Sequence, residues 1–286
     1  KLSNALYYDH WFDGDGMALS LRFDGDGQIP VFSSRFIQTA KYLKQGNVTD
    51  KLLANGAWTQ ATEWYRNILA QPLNPSNTNL FYFANRLYSL CEGGLPVLLD
   101  QHTLHTIDNQ FTFNGRLHSF FGAHPKTYYN QQLNANVMIN IGVSISPPST
   151  SFSLYVYAIK EDAEQTMLTS NSIELPYNCL VHDFMITNHY IIVLISPYIM
   201  STANILKSVL FGLDSLGNYQ EWRAEYGSYL YVLDKYTLKP VISAQHIAAI
   251  SYWHWIHAFD RTEQDAVHIH AKLVAFPSDR RSELEF

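Results

Sequence analysis

The sequence predicts an all-β fold, a propeller or a barrel formed by many short strands. Runs rich in β-branched and aromatic residues recur along the chain, and Gly, Pro, Asn and Asp separate them at intervals typical of hairpin connections. Hydrophobic residues make up 47% of the 286 residues and charged residues only 15%, which excludes a disordered, highly charged chain. The length allows one or two domains, and we expect one domain over residues 1–286.

The first predicted element is a hairpin. Residues 17–23 alternate in polarity, a Gly- and Asp-rich turn at 24–27 follows, and residues 29–33 form the second strand. The remaining strands are predicted between Asn, Gly and Pro residues. They are 78–84, 86–91, 96–99, 111–113, 117–122, 136–145, 151–159, 166–175, 180–187, 190–196, 228–234, 241–243, 247–254 and 266–276.

Two segments show helical spacing of apolar residues. Residues 49–70 carry aliphatic and aromatic side chains at mostly helical intervals, with Thr49 or Asp50 as the N-cap. Residues 201–213 place aliphatic side chains on one face. We interpret both as short helices packed on the β core, with contact to a membrane interface as the alternative. The longest apolar run, 190–200, is too short to span a bilayer and predicts a buried strand.

Charge and cysteine content exclude several classes of protein. Lys and Arg number 19 and Asp and Glu number 25, so the net charge of −6 argues against a nucleic-acid partner. Cys91 and Cys179 define neither a disulfide framework nor a Cys-rich zinc site, so we expect a reducing, cytoplasmic location. The chain begins at Lys1 without a signal-peptide pattern, which indicates that the natural start was removed or that the chain is a fragment.

Twelve histidines are candidate metal ligands, because sites built only from neutral imidazole suit iron, copper or zinc. His124 precedes Pro125, which ends regular strand pairing there, so the imidazole is free to point into a channel. His182 lies just before the predicted strand at 190–196. Taken singly, each is more typical of a core or rim residue. His268 and His270 lie two apart on one strand face and could chelate a metal, but their alternation with apolar residues favours a solvated strand face.

The Asp13/Asp15 and Asp24/Asp26 pairs also invite a metal interpretation. They are better explained as turn residues, because no ligand at the twelfth position completes an EF-hand calcium loop.

Six motifs in chain order resemble the carotenoid cleavage oxygenases, a family that includes apocarotenoid and lignostilbene dioxygenases. Each motif is weak alone, and their order makes the resemblance specific. They are His10-Trp11-Phe12-Asp13-Gly14-Asp15-Gly16-Met17, Asn77-Thr78-Asn79 with Glu92-Gly93-Gly94, Ala123-His124-Pro125-Lys126, Val181-His182-Asp183-Phe184, Trp222-Arg223 with Gly227, and His254-Trp255-Ile256-His257-Ala258-Phe259-Asp260.

The resemblance implies a seven-bladed β-propeller that holds Fe(II) on its axis through four histidines. By motif, His124, His182 and His254 are the first three metal ligands. The second ring nitrogen of a ligand histidine usually donates a hydrogen bond to a carboxylate. The resemblance implies that Glu92 is the carboxylate that accepts this bond from His182. Thr78 matches a position that lies beside the vacant iron site in some relatives, so we include it with Glu92 among the catalytic candidates.

The sequence departs from the family pattern at several positions. Ala224 replaces a Pro, Asp260 replaces a Glu, and His257 replaces an Asn, which excludes His257 as the third ligand. Nothing resembles the late motif that carries the fourth histidine, and the chain stops at Phe286 inside a segment similar to E-F-P-R. We therefore expect a propeller truncated at its C-terminus, with about four to five blades. Truncation at the N-terminus is left open.

The implied function is non-haem iron dioxygenase chemistry. The enzyme would cleave a C=C bond of a carotenoid, apocarotenoid or stilbene with dioxygen and release two carbonyl products. Peripheral membrane contact for uptake of the apolar substrate is left open. The alternative is a truncated or non-catalytic propeller module without the fourth ligand, and isomerase or hydrolase chemistry is a minor branch. We expect the chain alone to be prone to aggregation, to hold iron poorly and to cleave no such substrate at a useful rate.

Overall fold

The computed structural model describes residues 7–25, 27, 29–46, 48, 51–145, 151–264 and 266–276. Strands predominate in these ranges, with two α-helices and short 3-10 turns. The strands are β1 (Met17–Arg22), β2 (Val31–Phe36), β3 (Asn79–Phe83), β4 (Arg86–Leu90), β5 (Val97–Leu99), β6 (Thr106–Asp108), β7 (Lys126–Asn130), β8 (Ala135–Ile145), β9 (Phe152–Lys160), β10 (Met167–Glu174), β11 (Met185–Ile186), β12 (Tyr190–Ile195), β13 (Tyr198–Met200), β14 (Gln220–Trp222), β15 (Ser228–Asp234), β16 (Pro240–Ile247), β17 (Ser251–Glu263) and β18 (Ala266–Phe276), and the helices are α1 (Ala40–Gln45) and α2 (Thr202–Phe211).

The chain divides into two compact units. The first comprises Lys1–Gly115 and Leu206–Asn218, and the second comprises Arg116–Ile205 and Tyr219–Phe286. In the first unit, β1 and β2 form an antiparallel hairpin, and β3 to β6 form a four-stranded sheet in sequence order. A buried aliphatic cluster supports these elements: Ala18, Ile37, Val97, Leu99 and Leu104, with Leu87 packed against it.

The second unit contains two four-stranded antiparallel sheets and two hairpins. One sheet runs β7-β8-β9-β10 in sequence order, and the other has the order β11-β12-β15-β16. The hairpins pair β13 with β14 and β17 with β18. In β12 every residue after Tyr190 is buried, because the strand is uniformly apolar and lies between two neighbours. The all-β expectation is confirmed, whereas the number of blades stays a prediction.

The helix predicted over 49–70 is wrong. Most of this segment is irregular, with one 3-10 turn near its end. Side chains occupy the backbone groups that a helix would pair: Thr62 Oγ1 accepts from the backbone nitrogen of Leu52, and the Asn67 amide pairs with both backbone groups of Ala61. Side-chain bonds of this kind compete directly with helical hydrogen bonds. The segment is therefore a loop held by hydrogen bonds between its own side chains and backbone, although its apolar residues have helical spacing.

The helix predicted over 201–213 is confirmed as α2. The proposed N-caps of the other helix, Thr49 and Asp50, lie outside the described residues, as does Asp26 of the predicted turn. None of the helices in the described ranges is long and apolar enough to cross a bilayer.

Two predicted strands, 111–113 and 117–122, are irregular, and of 180–187 only β11 is a strand. The segment before His124 nevertheless lies against β8. Gly122 donates its N–H to the Ile141 carbonyl at 2.7 Å, and Asn140 Nδ2 donates to the Gly122 carbonyl at 2.8 Å. A Cβ on Gly142 would lie 1.7 Å from the Phe120 carbonyl oxygen. Contact with β8 therefore holds this segment in place without a regular ladder.

Candidate metal centre

His124 reaches the site from the start of a strand. It lies two residues before β7, and Pro125 between them cannot donate a ladder hydrogen bond. Ala123 before it is fully buried. The backbone is therefore fixed on both sides of a partly buried imidazole.

His182 lies in the irregular segment between β10 and β11. Val181 and Phe184 on either side of it are buried, so the backbone is anchored while the partly buried imidazole points toward the other two histidines. The Trp253 ring meets the imidazole edge to face, with ring centroids 4.6 Å apart.

His254 occupies an irregularity in β17. The ladder with β18 pairs Tyr252 with Ala275 but Trp255 with Leu273, so two residues of β17 face a single residue of β18. Such bulges redirect side chains and are frequent beside functional sites. Tyr252 anchors the bulge, because its buried hydroxyl lies 2.8 Å from the Leu194 carbonyl oxygen.

The three imidazoles converge on one point. Nε2 of His182 lies 3.1 Å from Nε2 of His124 and 3.4 Å from Nε2 of His254. The ligand atoms of all three lie within 4.8 Å of one another. Among the described residues, no fourth histidine joins them.

These separations fit a shared cation. Two nitrogens that bind one ion at about 2.1 Å, at the angles of ordinary coordination, lie about 3.0–3.4 Å apart. Neutral imidazoles placed with nitrogen facing nitrogen must otherwise share protons, because facing lone pairs repel. The donor set is purely imidazole, which suits iron, copper or zinc rather than calcium or magnesium.

A buried carboxylate, Asp183, lies beside the three histidines. Its Oδ2 is 3.3 Å from Nδ1 of His254, and its Oδ1 accepts from Lys126 Nζ at 2.8 Å. Its side chain is only 3% exposed. Burial raises the pKa of Asp183, but the hydrogen bond and charge of Lys126 outweigh burial, so the pKa lies below its usual range. The carboxylate is therefore ionised at neutral pH.

Thr78 and Glu92 lie in the first unit. Thr78 is exposed, and its backbone nitrogen donates to the Leu90 carbonyl at 3.1 Å. Its Oγ1 is 3.3 Å from Asn77 Oδ1 and 3.5 Å from Glu92 Oε2. Glu92 lies in the connection between β4 and β5. The roles predicted for Thr78 and Glu92 at the metal, including support of His182 by Glu92, stay predictions.

The other candidate histidines stay apart from this cluster. His257 lies on β17 with its ring 5.3 Å from that of Phe259, and His270 on β18 stacks on the same ring at 4.8 Å. His268 is exposed on β18. The residue that sequence reasoning missed is Asp183, although the Val181-His182-Asp183-Phe184 motif contains it.

Comparison with known families supports the motif analysis. The model of the RPE65 family, described as retinal pigment epithelial membrane protein, matches residues 2–284. The chain belongs to this family. Among curated RPE65-family relatives, the apocarotenoid-15,15'-oxygenase of Synechocystis is 31% identical over 190 residues, which cover 65% of this chain and 38% of that protein. The lignostilbene-alpha,beta-dioxygenase isozyme III of Sphingomonas paucimobilis is 29% identical, over 66% of this chain and 36% of that protein.

Solved RPE65-family structures share the fold. The cobalt-substituted Synechocystis apocarotenoid oxygenase superposes with a TM-score of 0.78 at 24% identity, over 94% of this chain and 55% of that one. An ACO/RPE65 chimera gives a TM-score of 0.77 at 25% identity, over 92% of this chain and 53% of that one. The chain thus spans about half the length of these structures, and less of the two curated relatives.

Proposed function

We propose that His124, His182 and His254 are ligands of a non-haem Fe(II) centre in a dioxygenase that splits a C=C bond of an apolar conjugated substrate. The candidate substrates are carotenoids, apocarotenoids and stilbenes. The convergence of three imidazole nitrogens within 4.8 Å carries the proposal. Membership of the RPE65 family, with relatives named as apocarotenoid and lignostilbene oxygenases, supports the reaction type.

The proposed reaction balances without an external reductant. One dioxygen is consumed, the double bond breaks, and each new carbonyl receives one oxygen atom. The metal, when bound, supplies the redox chemistry that activates dioxygen. The protein needs no general base, because no proton has to leave the substrate.

The residues of the chain hold the imidazoles in one orientation. Pro125 and the contacts of Gly122 with β8 fix His124, the flanking buried side chains fix His182, and the bulge in β17 directs His254. The Trp253 ring also packs edge to face against His182. Preorganised ligands of this kind lower the entropic cost of metal binding.

The first experiment measures metal binding by the chain as it stands. Anaerobic Fe(II), and Co(II) as a spectroscopic probe, are titrated into wild type, His254→Ala and His257→Ala. The sequence predicts that the chain holds iron poorly, so we expect weak binding that still saturates at one ion per chain and is lost in His254→Ala. We expect it to be unchanged in His257→Ala, because His257 lies on the same strand outside the cluster. Equal effects of the two substitutions would contradict the ligand assignment.

The second experiment follows the oxygen atoms. The Fe(II)-loaded chain is incubated under ¹⁸O₂ with an apocarotenoid aldehyde and a hydroxystilbene, and products are analysed by mass spectrometry against a metal-free blank. Two carbonyl fragments with one label each support oxidative cleavage, even at a low rate. Metal binding without any labelled product favours the non-catalytic alternative, and an unlabelled isomer or alcohol favours isomerase or hydrolase chemistry.

Three wider predictions from the sequence belong to the proposal: a single seven-bladed propeller domain, of which this chain forms about four to five blades, and a cytoplasmic location. Peripheral membrane contact for substrate uptake stays the alternative that the sequence leaves open.

A further inference from the structure

We propose that Asp183 is a positioning residue that orients His254 and ties together the three segments that carry the histidines. The inference rests on the proposed function in one respect, because the cluster that Asp183 orders is the proposed metal site. The contacts of one buried carboxylate carry the inference.

Each oxygen of the Asp183 carboxylate accepts from a different ligand-bearing segment. Oδ2 faces β17, where it lies 3.3 Å from both Nδ1 of His254 and the backbone nitrogen of Trp255. Oδ1 faces the start of β7, where it lies 2.8 Å from Lys126 Nζ, two residues after His124. Asp183 itself follows His182. The Asp183 carboxylate, which lies on the His182 segment, therefore contacts both the His124 segment and the His254 segment.

The contact with Nδ1 determines which nitrogen of His254 is available to a metal. An ionised carboxylate can only accept, so Nδ1 of His254 must carry the proton in this hydrogen bond. Nε2 then keeps its lone pair, and Nε2 is the atom that faces the cluster, 3.4 Å from Nε2 of His182. Carboxylates commonly fix the tautomer of metal-binding histidines in this way.

His254 needs such support more than a buried residue would. Its side chain is 51% exposed, so packing alone does not fix the ring that the bulge in β17 directs toward the cluster. The Asp183 side chain is 3% exposed, and two further contacts hold it. Its Oδ1 accepts from the backbone nitrogen of Phe184 at 2.8 Å, and its backbone carbonyl lies 3.0 Å from the hydroxyl of Tyr252 on β17.

Lys126 allows the buried carboxylate to stay ionised. A carboxylate without a cation or donors is strongly disfavoured when it is removed from water. Lys126, on the same segment as His124, provides the counter-charge. Because Asp183 also contacts His254, the ion pair couples the position of His124 to that of His254. We infer that the pair acts on metal affinity through the relative placement of the histidines.

The test compares two buried aspartates of the same unit that both contact a histidine ring. Asp183→Asn keeps the shape but places an amide opposite His254. The matched control is Asp260→Asn, because Asp260 is 4% exposed and its Oδ2 lies 2.6 Å from Nδ1 of His189, away from the cluster. Co(II) affinity and the visible Co(II) spectrum are measured for both variants and for wild type.

We expect Asp183→Asn to weaken Co(II) binding by about tenfold to a hundredfold and to change the Co(II) spectrum. Asp183→Glu should restore part of the affinity. Asp260→Asn should keep both the affinity, within about twofold, and the wild-type spectrum. Equal losses in Asp183→Asn and Asp260→Asn, or an unchanged Asp183→Asn, would overturn the inference.

A measurement on the unmutated chain covers the case in which Asp183→Asn fails to fold. Long-range ¹⁵N–¹H NMR of the metal-free protein reports the His254 tautomer. We expect the Nδ1–H form, and the Nε2–H form would overturn the inference. This result does not depend on metal binding. Failure of the wild type to bind Co(II) would reject the proposed metal centre, whereas a wrong tautomer would reject only the role of Asp183.

Discussion

Two largely buried lysine–aspartate pairs, one in each unit, show that the same residue types can have different roles. In the first unit, Lys41 Nζ lies 3.1 Å from Asp15 Oδ1 and 2.7 Å from the Asp13 carbonyl oxygen, and it stacks 3.6 Å from the Tyr8 ring centroid. The Tyr8 hydroxyl donates to Asp15 Oδ2 at 2.8 Å. In the second unit, Lys126 pairs with only one oxygen of Asp183.

The difference lies in what the second carboxylate oxygen contacts. Both oxygens of Asp15 are bound by side chains of its own unit, and those of Asp13 accept from the backbone nitrogens of Ala57 and Trp58. We call this network closed, because all four carboxylate oxygens contact groups of the same unit, and its role is structural. In Asp183 the second oxygen faces His254 of the three-histidine cluster, so the same kind of ion pair can order the proposed site.

The largest expected effect is at the closed network. Lys41→Ala removes the cation beside a buried carboxylate, so we expect a loss of about 3–5 kcal/mol in the free energy of unfolding. Lys44→Ala, an exposed lysine on the same helix, should change stability by less than about 0.5 kcal/mol. Urea denaturation measures both. A Lys41→Ala variant as stable as Lys44→Ala would show that the network is not structural.

The next effect distinguishes the two pairs directly. Lys126 is 24% exposed, so we expect Lys126→Ala to cost only about 1–3 kcal/mol in unfolding free energy. We also expect it to weaken Co(II) binding about tenfold. Lys160, partly exposed at the end of β9, is the control for both measurements. If Lys41→Ala weakened Co(II) binding of the folded chain as much as Lys126→Ala, the comparison would fail.

A smaller, pH-dependent effect is expected at Asp260. Burial raises the pKa of Asp260, but hydrogen bonds from Thr187 and His189 outweigh burial, and the pKa lies below its usual value. Its contribution to stability is therefore complete above the unfolded-state pKa of about 3.9 and is lost as the pH falls through the folded-state pKa.

Asp260→Asn should accordingly cost about 1–2 kcal/mol at pH 7. The difference from wild type should narrow below about pH 4. Chemical denaturation at pH 7, 5 and 3 tests both parts, and a difference that stays constant with pH would contradict the assignment.

The smallest effect is expected at His270. Its ring stacks on Phe259 at an interplanar angle of 10°, but the residue is exposed. His270→Ala should cost less than about 1 kcal/mol and leave Co(II) affinity unchanged. A marked loss of metal would show that β18 contributes a ligand, which the structure does not place there.

The motifs and the local pattern predicted much of this arrangement. The strand limits of β15 and β18 match the predicted 228–234 and 266–276, because the turn residues that flank them define these limits locally. His124, His182 and His254, which the motifs selected, are brought together in the structure.

Other features depend on tertiary contacts that no local pattern carries. The bulge that directs His254 arises from the pairing of β17 with β18, and the role of Asp183 depends on Lys126, 57 residues away. Lys41 is fully buried although lysine is usually exposed, because Asp15 and the Asp13 carbonyl contact its ammonium group. These partners lie 26 and 28 residues away in the sequence, so no local pattern indicates them. The turn interpretation of Asp13 and Asp15 missed this network for the same reason.

The proposed site requires that one metal ion binds all three histidines. X-ray absorption fine structure of the Co(II)-loaded chain tests this claim directly. We expect imidazole scattering from three ligands at about 2.0–2.2 Å, with one imidazole fewer in His182→Ala. Oxygen scattering alone, identical in the wild type and in His182→Ala, would contradict it.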